Sequence, residues 1–383
     1  MIKGATSHPK TRVFGLDLLR AAAILSVVCA HSFVVLYPHL SVLNIFGHAG
    51  FYGVELFFVL SGFLIGQILI RQGLALGQSA NVAIFYVRRW FRTLPLFGLL
   101  LLVNVWLEFQ FREHRVGFAE ALSHGFFLRN LTSFQMSFFP ESWSLAIEEW
   151  FYLLFPAVLY LGLRVWKRFD GAFLWVALGF FAFSTGARML AASDPAATWL
   201  AQRMVVIYRF DALMIGIFAA WLAIRYPERW EKHKVVWASV GSVLLLLMYA
   251  TLYKLERGQL LSGADSYFAR TFRFTFVSLG FALLLPWASR WKLTRENLAS
   301  AAIRRIALWS YGLYLVHIPV FWIVTQSVLP NWEQSLLRGL CAFALLLGGA
   351  IVLSALLYRF FERPCTQLRE KAGPVVGAIF PRA

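Results

Sequence analysis

The 383-residue sequence predicts an all-α, polytopic membrane bundle of about ten transmembrane helices, and three observations carry that reading. Hydrophobic residues make up 60% of the chain and charged residues 14%, where soluble domains carry about 25% charged residues. Apolar runs long enough to span recur from one end to the other. The Lys and Arg residues between them are unevenly divided, which sets an orientation. The formal net charge of +17 follows from that division and is read as positive-inside bias, not as a surface for nucleic acid.

The first span, Val13 to Tyr37, holds the run FGLDLLRAAAILSVVCAHS. Lys3, Lys10 and Arg12 before it, and V-C-A within it, imitate a cleavable signal peptide. The apolar stretch continues past that point to Tyr37, so it is read as a retained span. The second, Ala49 to Ile70, carries Gly62 and Gly66, a pair of small residues suited to close helix contact. The third, Leu94 to Phe109, is short and follows the basic run YVRRWFRTLP. Trp143 to Leu163, Phe173 to Leu190 and Val205 to Ala223 come next, then Val235 to Tyr253, Phe272 to Ala288, Ile306 to Gln326 and Gly339 to Tyr358. Between the third and fourth, an aromatic-rich stretch around Phe118 to Leu128 predicts a helix lying in the headgroup region.

With the N-terminus inside, 25 of the 36 basic residues fall on the inner side and 11 on the outer. That sign predicts both termini in the cytoplasm. No internal repeat and no linker of any length is visible, so residues 1–383 read as one transmembrane domain with short basic tails at about 1–12 and 364–383. Cys29, Cys341 and Cys365 have none of the paired spacings of a disulfide framework or a zinc site, and no metal is expected.

Ionisable residues inside a membrane are costly and mark functional paths. Counted from the outer end of its own span, His31 lies six residues down, Glu55 six, Glu148 five and Asp211 six. At about 1.5 Å per residue these share a level roughly 8 to 9 Å in, with His317 somewhat deeper. Five such groups on one layer predict a shared cavity. His31 reads as a general base oriented by Glu55 or Glu148, and with no nucleophile-elbow Ser or Cys, direct attack by an acceptor hydroxyl is expected. On the inner side Arg89 and Arg92, three apart, share a helix face and could clamp phosphates. Arg20 lies eleven residues before His31, roughly 16 Å along a helix. Trp143 and Trp150 flank the Glu148 turn, where either could stack on a sugar.

The blocks GLDLLRAAAILSVVCAH, GVELFFVLSGFLIG, FYVRRWFRTLPLF, SWSLAIEEWFYLLFP, RFDALMIG, SYGLYLVHIPV and FERP follow one another from about Phe14 to Pro364. In that order they resemble acyltransferase family 3, the integral membrane O-acyltransferases. The resemblance implies transfer of an acyl group, often acetyl, from cytoplasmic acyl-coenzyme A to a hydroxyl of a surface carbohydrate or glycolipid. It implies a bacterial inner-membrane location and function for Arg20 with His31 and for Arg89 with Arg92. Glu55 stands where many members carry Asp, while Ser144, Glu148 and Phe151 match one block and His317 another. Asp211, His317, Trp143 and Ser144 are the residues expected to meet the acceptor. Some members add a soluble hydrolase-like domain, and this chain resembles the stand-alone form. A competing reading is a proton-coupled secondary transporter or flippase built on the same intramembrane charges. Against it, no inverted repeat is visible, and a transporter has no need of the inner arginines.

Overall fold

A computed structural model of the chain describes residues 13–111, 116–134, 138–166, 168–256 and 266–368, and every regular element among them is helical. Lys3, Lys10, Arg12 and the tail beyond 368 lie outside the described residues. In chain order the helices are α1 (Phe14–Ser32), α2 (Ala49–Gln72), α3 (Ser79–Phe111), α4 (Phe118–Gly125), α5 (Ser142–Val165), α6 (Phe169–Ala192) and α7 (Trp199–Met204). There follow α8 (Phe210–Arg225), α9 (Pro227–Lys232), α10 (Lys234–Glu256), α11 (Tyr267–Arg270), α12 (Phe272–Ala288), α13 (Leu298–Ile323) and α14 (Leu336–Leu357).

The ten apolar runs fall in order on α1, α2, α3, α5, α6, α8, α10, α12, α13 and α14. Eight of these helices are long and apolar enough to cross a membrane; α12 has 17 residues and α8 has 16. The short α8 is enclosed by protein, with Ala212, Leu213, Met214, Ile217 and Ala220 fully buried. The predicted start at Val205 was early because a 3-10 turn, Val206–Tyr208, precedes Phe210 and turns Arg209 and Asp211 inward. The third span is longer than its apolar run. It forms a 33-residue helix that carries Arg88, Arg89 and Arg92 in its interior, with Pro95 also inside. A helix is found where the aromatic-rich stretch predicted one, over Phe118–Gly125.

Glycines set the closest crossings. A Cβ on Gly62 would sit 2.0 Å from the Leu213 carbonyl oxygen, and one on Gly216 would sit 2.2 Å from that of Val59. Helices α2 and α8 therefore meet backbone to backbone, as small residues permit inside membranes. The second glycine of the pair, Gly66, rests against Ala220 of the same helix. On its other side α2 runs antiparallel to α1: Gly50 lies against Val27, Ala30 and His31, and Gly53 against Ala23 and Val27. A capping box of Asn297 and Ser300 starts α13, and Gly73, with φ of +54°, ends α2.

Candidate functional site

The antiparallel pairing of α1 and α2 gives a ruler for depth. His31 lies level with Gly50, whose Cβ would be 4.0 Å from the imidazole Cε1. Eleven residues along α1 is Arg20, and eleven along α2 is Ser61, each about 16 Å away from the histidine. Both line one cavity.

That cavity has a volume of about 360 Å³ and extends along α2 from Val54 to Arg71, about 25 Å at helical rise. Four arginines line it: Arg20, Arg71, Arg89 and Arg92. Beside Ser61, the Glu148 carboxylate faces the hydroxyls of Ser61 and Tyr152, which are hydrogen-bonded to each other. The Arg89 guanidinium lies 3.9 Å from the Tyr152 ring centroid and acts on the same carboxylate. Toward the Val54 end the walls become Ser144 and Tyr314, joined by a 2.6 Å hydrogen bond between hydroxyls. The Tyr314 hydroxyl also donates to the Glu141 carbonyl.

One helical turn past Tyr314 is His317. Its Nδ1 donates to the Tyr314 carbonyl at 2.6 Å, and its ring centre is 5.0 Å from that of His31. The His31 Nδ1 donates to the Val27 carbonyl at 2.9 Å. A carbonyl oxygen can only accept, so each imidazole carries its proton on Nδ1 and its lone pair on Nε2. The side chain of His31 is exposed, whereas that of His317 is buried.

The expected layer of five ionisable groups is not formed. Glu55 is fully buried on a different face of α2, where one guanidinium nitrogen of Arg209 bonds both its oxygens at 2.7 Å and Ser278 bonds one at 3.1 Å. Asp211 is equally buried, paired to Arg188 at 2.8 Å and to Thr275 at 2.8 Å, with Arg209 at 3.8 Å. Neither lines the cavity, so Glu55 does not orient His31 and Asp211 has no face for an acceptor. Glu148 does line it, yet at the level of Ser61, about 16 Å from the His31 level. A backbone carbonyl orients His31 instead. The depth count failed because it took every span to begin in one plane, whereas α2 begins at Ala49, already level with His31.

Trp143 is buried with its ring 6.0 Å from Phe58, which leaves it no open face for stacking on a sugar. Sequence reasoning did not single out Arg71, Gln67, Ser61, Tyr152, Tyr311 and Tyr314, all of which line the cavity. Arg71 and Gln67 sit in the last turns of α2, and a basic residue ending the second span was the available signal. Among the described residues no group of three or more His, Cys, Asp or Glu could hold a metal ion.

A family model described as an acyltransferase domain matches residues 13–359. The chain is similar to the peptidoglycan O-acetyltransferase OatA of Listeria monocytogenes, at 27% identity over 95% of this chain and 57% of the relative. It is 28% identical to YrhL of Bacillus subtilis, provisionally named a peptidoglycan O-acetyltransferase, over 91% of this chain and 54% of that one. A provisionally named O-acetyltransferase of Staphylococcus aureus is 26% identical over 94% of this chain and 59% of its own length. The chain thus spans less than two thirds of these relatives. No solved structure matches.

Proposed function

Because the chain belongs to the acyltransferase family whose model it matches over nearly its whole length, we propose that it is a membrane O-acetyltransferase that uses acyl-coenzyme A as donor and a carbohydrate hydroxyl as acceptor. One observation supports the donor above all. The cavity is lined by four arginines, and its Tyr314 end lies one helical turn from His317, which with His31 forms a pair of lone-pair-bearing imidazoles about 16 Å from the Arg20 and Arg89 level. Phosphates suit the arginines, and the pantetheine arm is long enough to cover the remaining distance.

In this reading the nucleotide end rests on Arg20, Arg89 and Arg92, with Arg71 beside them. Glu148, Ser61 and Tyr152 hold Arg89 in place and present polar groups to the arm. The thioester lies beyond Ser144 and Tyr314. His31 Nε2 takes the proton of the acceptor hydroxyl as its oxygen attacks the thioester carbonyl, and the imidazolium gives that proton to the departing sulfur as the C–S bond breaks, so coenzyme A leaves as the thiol. His317 Nε2 offers a second acceptor beside it, suited to hold a neighbouring hydroxyl of the acceptor. The acceptor arrives from the outer side, so a cytosolic donor would serve an external sugar without a separate carrier. The bilayer is the lipid partner, a bacterial inner membrane the proposed location, and both termini are placed in the cytoplasm.

The test is calorimetric binding of acetyl-coenzyme A to purified protein in detergent, with the Arg89→Ala/Arg92→Ala variant beside it. Charge-assisted hydrogen bonds are each worth about 1.5–3 kcal/mol, so the pair should weaken binding by about a hundredfold or more. Unchanged affinity would remove the clamp. No binding to folded wild-type protein would move the weight to a transporter.

A further inference from the structure

The charges turned into the protein near the His31 level do not balance. Arg209 and Arg188 are matched by Glu55 and Asp211. Arg203, in α7, is not. Its guanidinium is enclosed by three aromatic rings from three helices: Trp143 at 5.0 Å, Phe51 at 5.3 Å and Trp199 at 5.4 Å. Its Nε has no hydrogen-bond partner, and among the described residues no carboxylate pairs with it. The acid that acts on it, Glu55, is already held by Arg209.

Its backbone is anchored at two points. Arg209 donates to the Arg203 carbonyl at 3.0 Å, and the Asn130 amide bridges the carbonyls of Trp143 and Met204. Arg203 also sits at the reaction level. Phe51 of its aromatic box is the residue after Gly50, which abuts His31, so Arg203 and His31 flank the first turn of α2. The Arg203 charge acts on the His31 ring and on the Tyr314 hydroxyl. Burial pulls the guanidinium down to about 10, which leaves it a cation at neutral pH.

Arg203 is half-buried, and a cation drawn partly out of water without a counter-ion is unfavourable, a cost that aromatic faces offset only in part. Rings accept no conventional hydrogen bond from the guanidinium, so its N–H donors suit a planar or tetrahedral anion. We infer that Arg203 in its Phe51, Trp143 and Trp199 box is an anion-recognition subsite for the acceptor, which is a saccharide bearing a carboxylate or phosphate near the hydroxyl to be acylated. The inference rests on the proposed acyl transfer and names its acceptor class. Trp143 then meets the acceptor through Arg203 and not by stacking on a sugar ring.

The experiment is saturation-transfer NMR with full-length protein in neutral detergent, using glucose, glucuronate and glucose 1-phosphate as probes. The two anionic sugars should bind at least tenfold more tightly than glucose. That preference should fall as salt is raised, disappear in Arg203→Gln and persist in part in Arg203→Lys. Acetyl-coenzyme A binding, measured on the same samples, reports folding and the donor site separately. If the donor binds and the three sugars do not differ, or if the preference survives Arg203→Gln, the inference is overturned. It is likewise overturned if phosphatidylglycerol in the detergent displaces the anionic sugars, because the cation would then belong to lipid. Should Arg203→Gln not fold, equal behaviour of Arg203→Lys and wild type across the salt series would overturn it.

Discussion

At the scale of single residues, each buried charge performs one of two tasks, and its partner tells which. Glu55 and Arg209 hold each other within a fully buried network, so removing one side strands the other. Breaking such a pair costs about 3–5 kcal/mol. Glu55→Ala should therefore lower the melting temperature in detergent sharply, whereas His31→Ala should leave melting and donor binding near wild type. Transfer by His31→Ala should drop about 10²- to 10⁴-fold, as for loss of a general base, and transfer at the wild-type rate would refute the assignment. Glu141, just before α5, has neither carboxylate oxygen bonded, and burial pushes it up to about 8. The folded state thus holds a proton that the unfolded chain releases near pH 4.5. Its stabilising effect is complete below that value and is lost as pH rises to about 8. Melting temperature should fall across that window, and less steeply in Glu141→Gln. His31, Arg20 and Glu148 were legible in the sequence as polar residues in apolar runs, and Arg89 and Arg92 as a basic run just before the third span. The pairing of Glu55 with Arg209, 154 positions apart, was not, because no local pattern encodes it.

At the scale of elements, α2 is the member on which the others are aligned. It touches α8 through Gly62 and Gly216 and α1 through Gly50 and Gly53, and its length forms one wall of the cavity. A methyl group at Gly216 has backbone on the far side and nothing flexible to displace. Gly216→Ala should cost about 1–3 kcal/mol or more and reduce donor binding together with melting temperature, since α2 would shift. Gly179→Ala, where a Cβ would meet nothing, is the control and should change neither. The apolar runs revealed which helices exist and their order, because burial in lipid and burial in protein demand the same composition. They misplaced the ends of α3 and α8, where amphipathic turns and inward arginines extend or shorten the helix beyond its apolar part.

At the scale of the whole molecule, charge counting gave an orientation, and the structure alters which charges belong in the count. The 11 outer basic residues include Arg203 and, at the outer ends of their spans, Arg188, Arg209 and Arg273, yet the side chains of these four are turned into the protein. Removing them strengthens the inward bias. Alkaline phosphatase inserted beside Ala197 should be active, and inserted beside Pro227 inactive; the reverse pattern would invert the molecule. This same subtraction explains why Arg203 escaped notice, since a basic residue between two apolar runs passes for a loop charge. On the proposed function, the matched eleven-residue intervals on α1 and α2 would also set how long a donor must be. Selection would then work as a tape measure does, with the nucleotide as the hook and the imidazoles as the mark. S-acetylpantetheine, which has the reactive end without the hook, should reach His31 only at concentrations at least a hundredfold higher, however well its thioester fits.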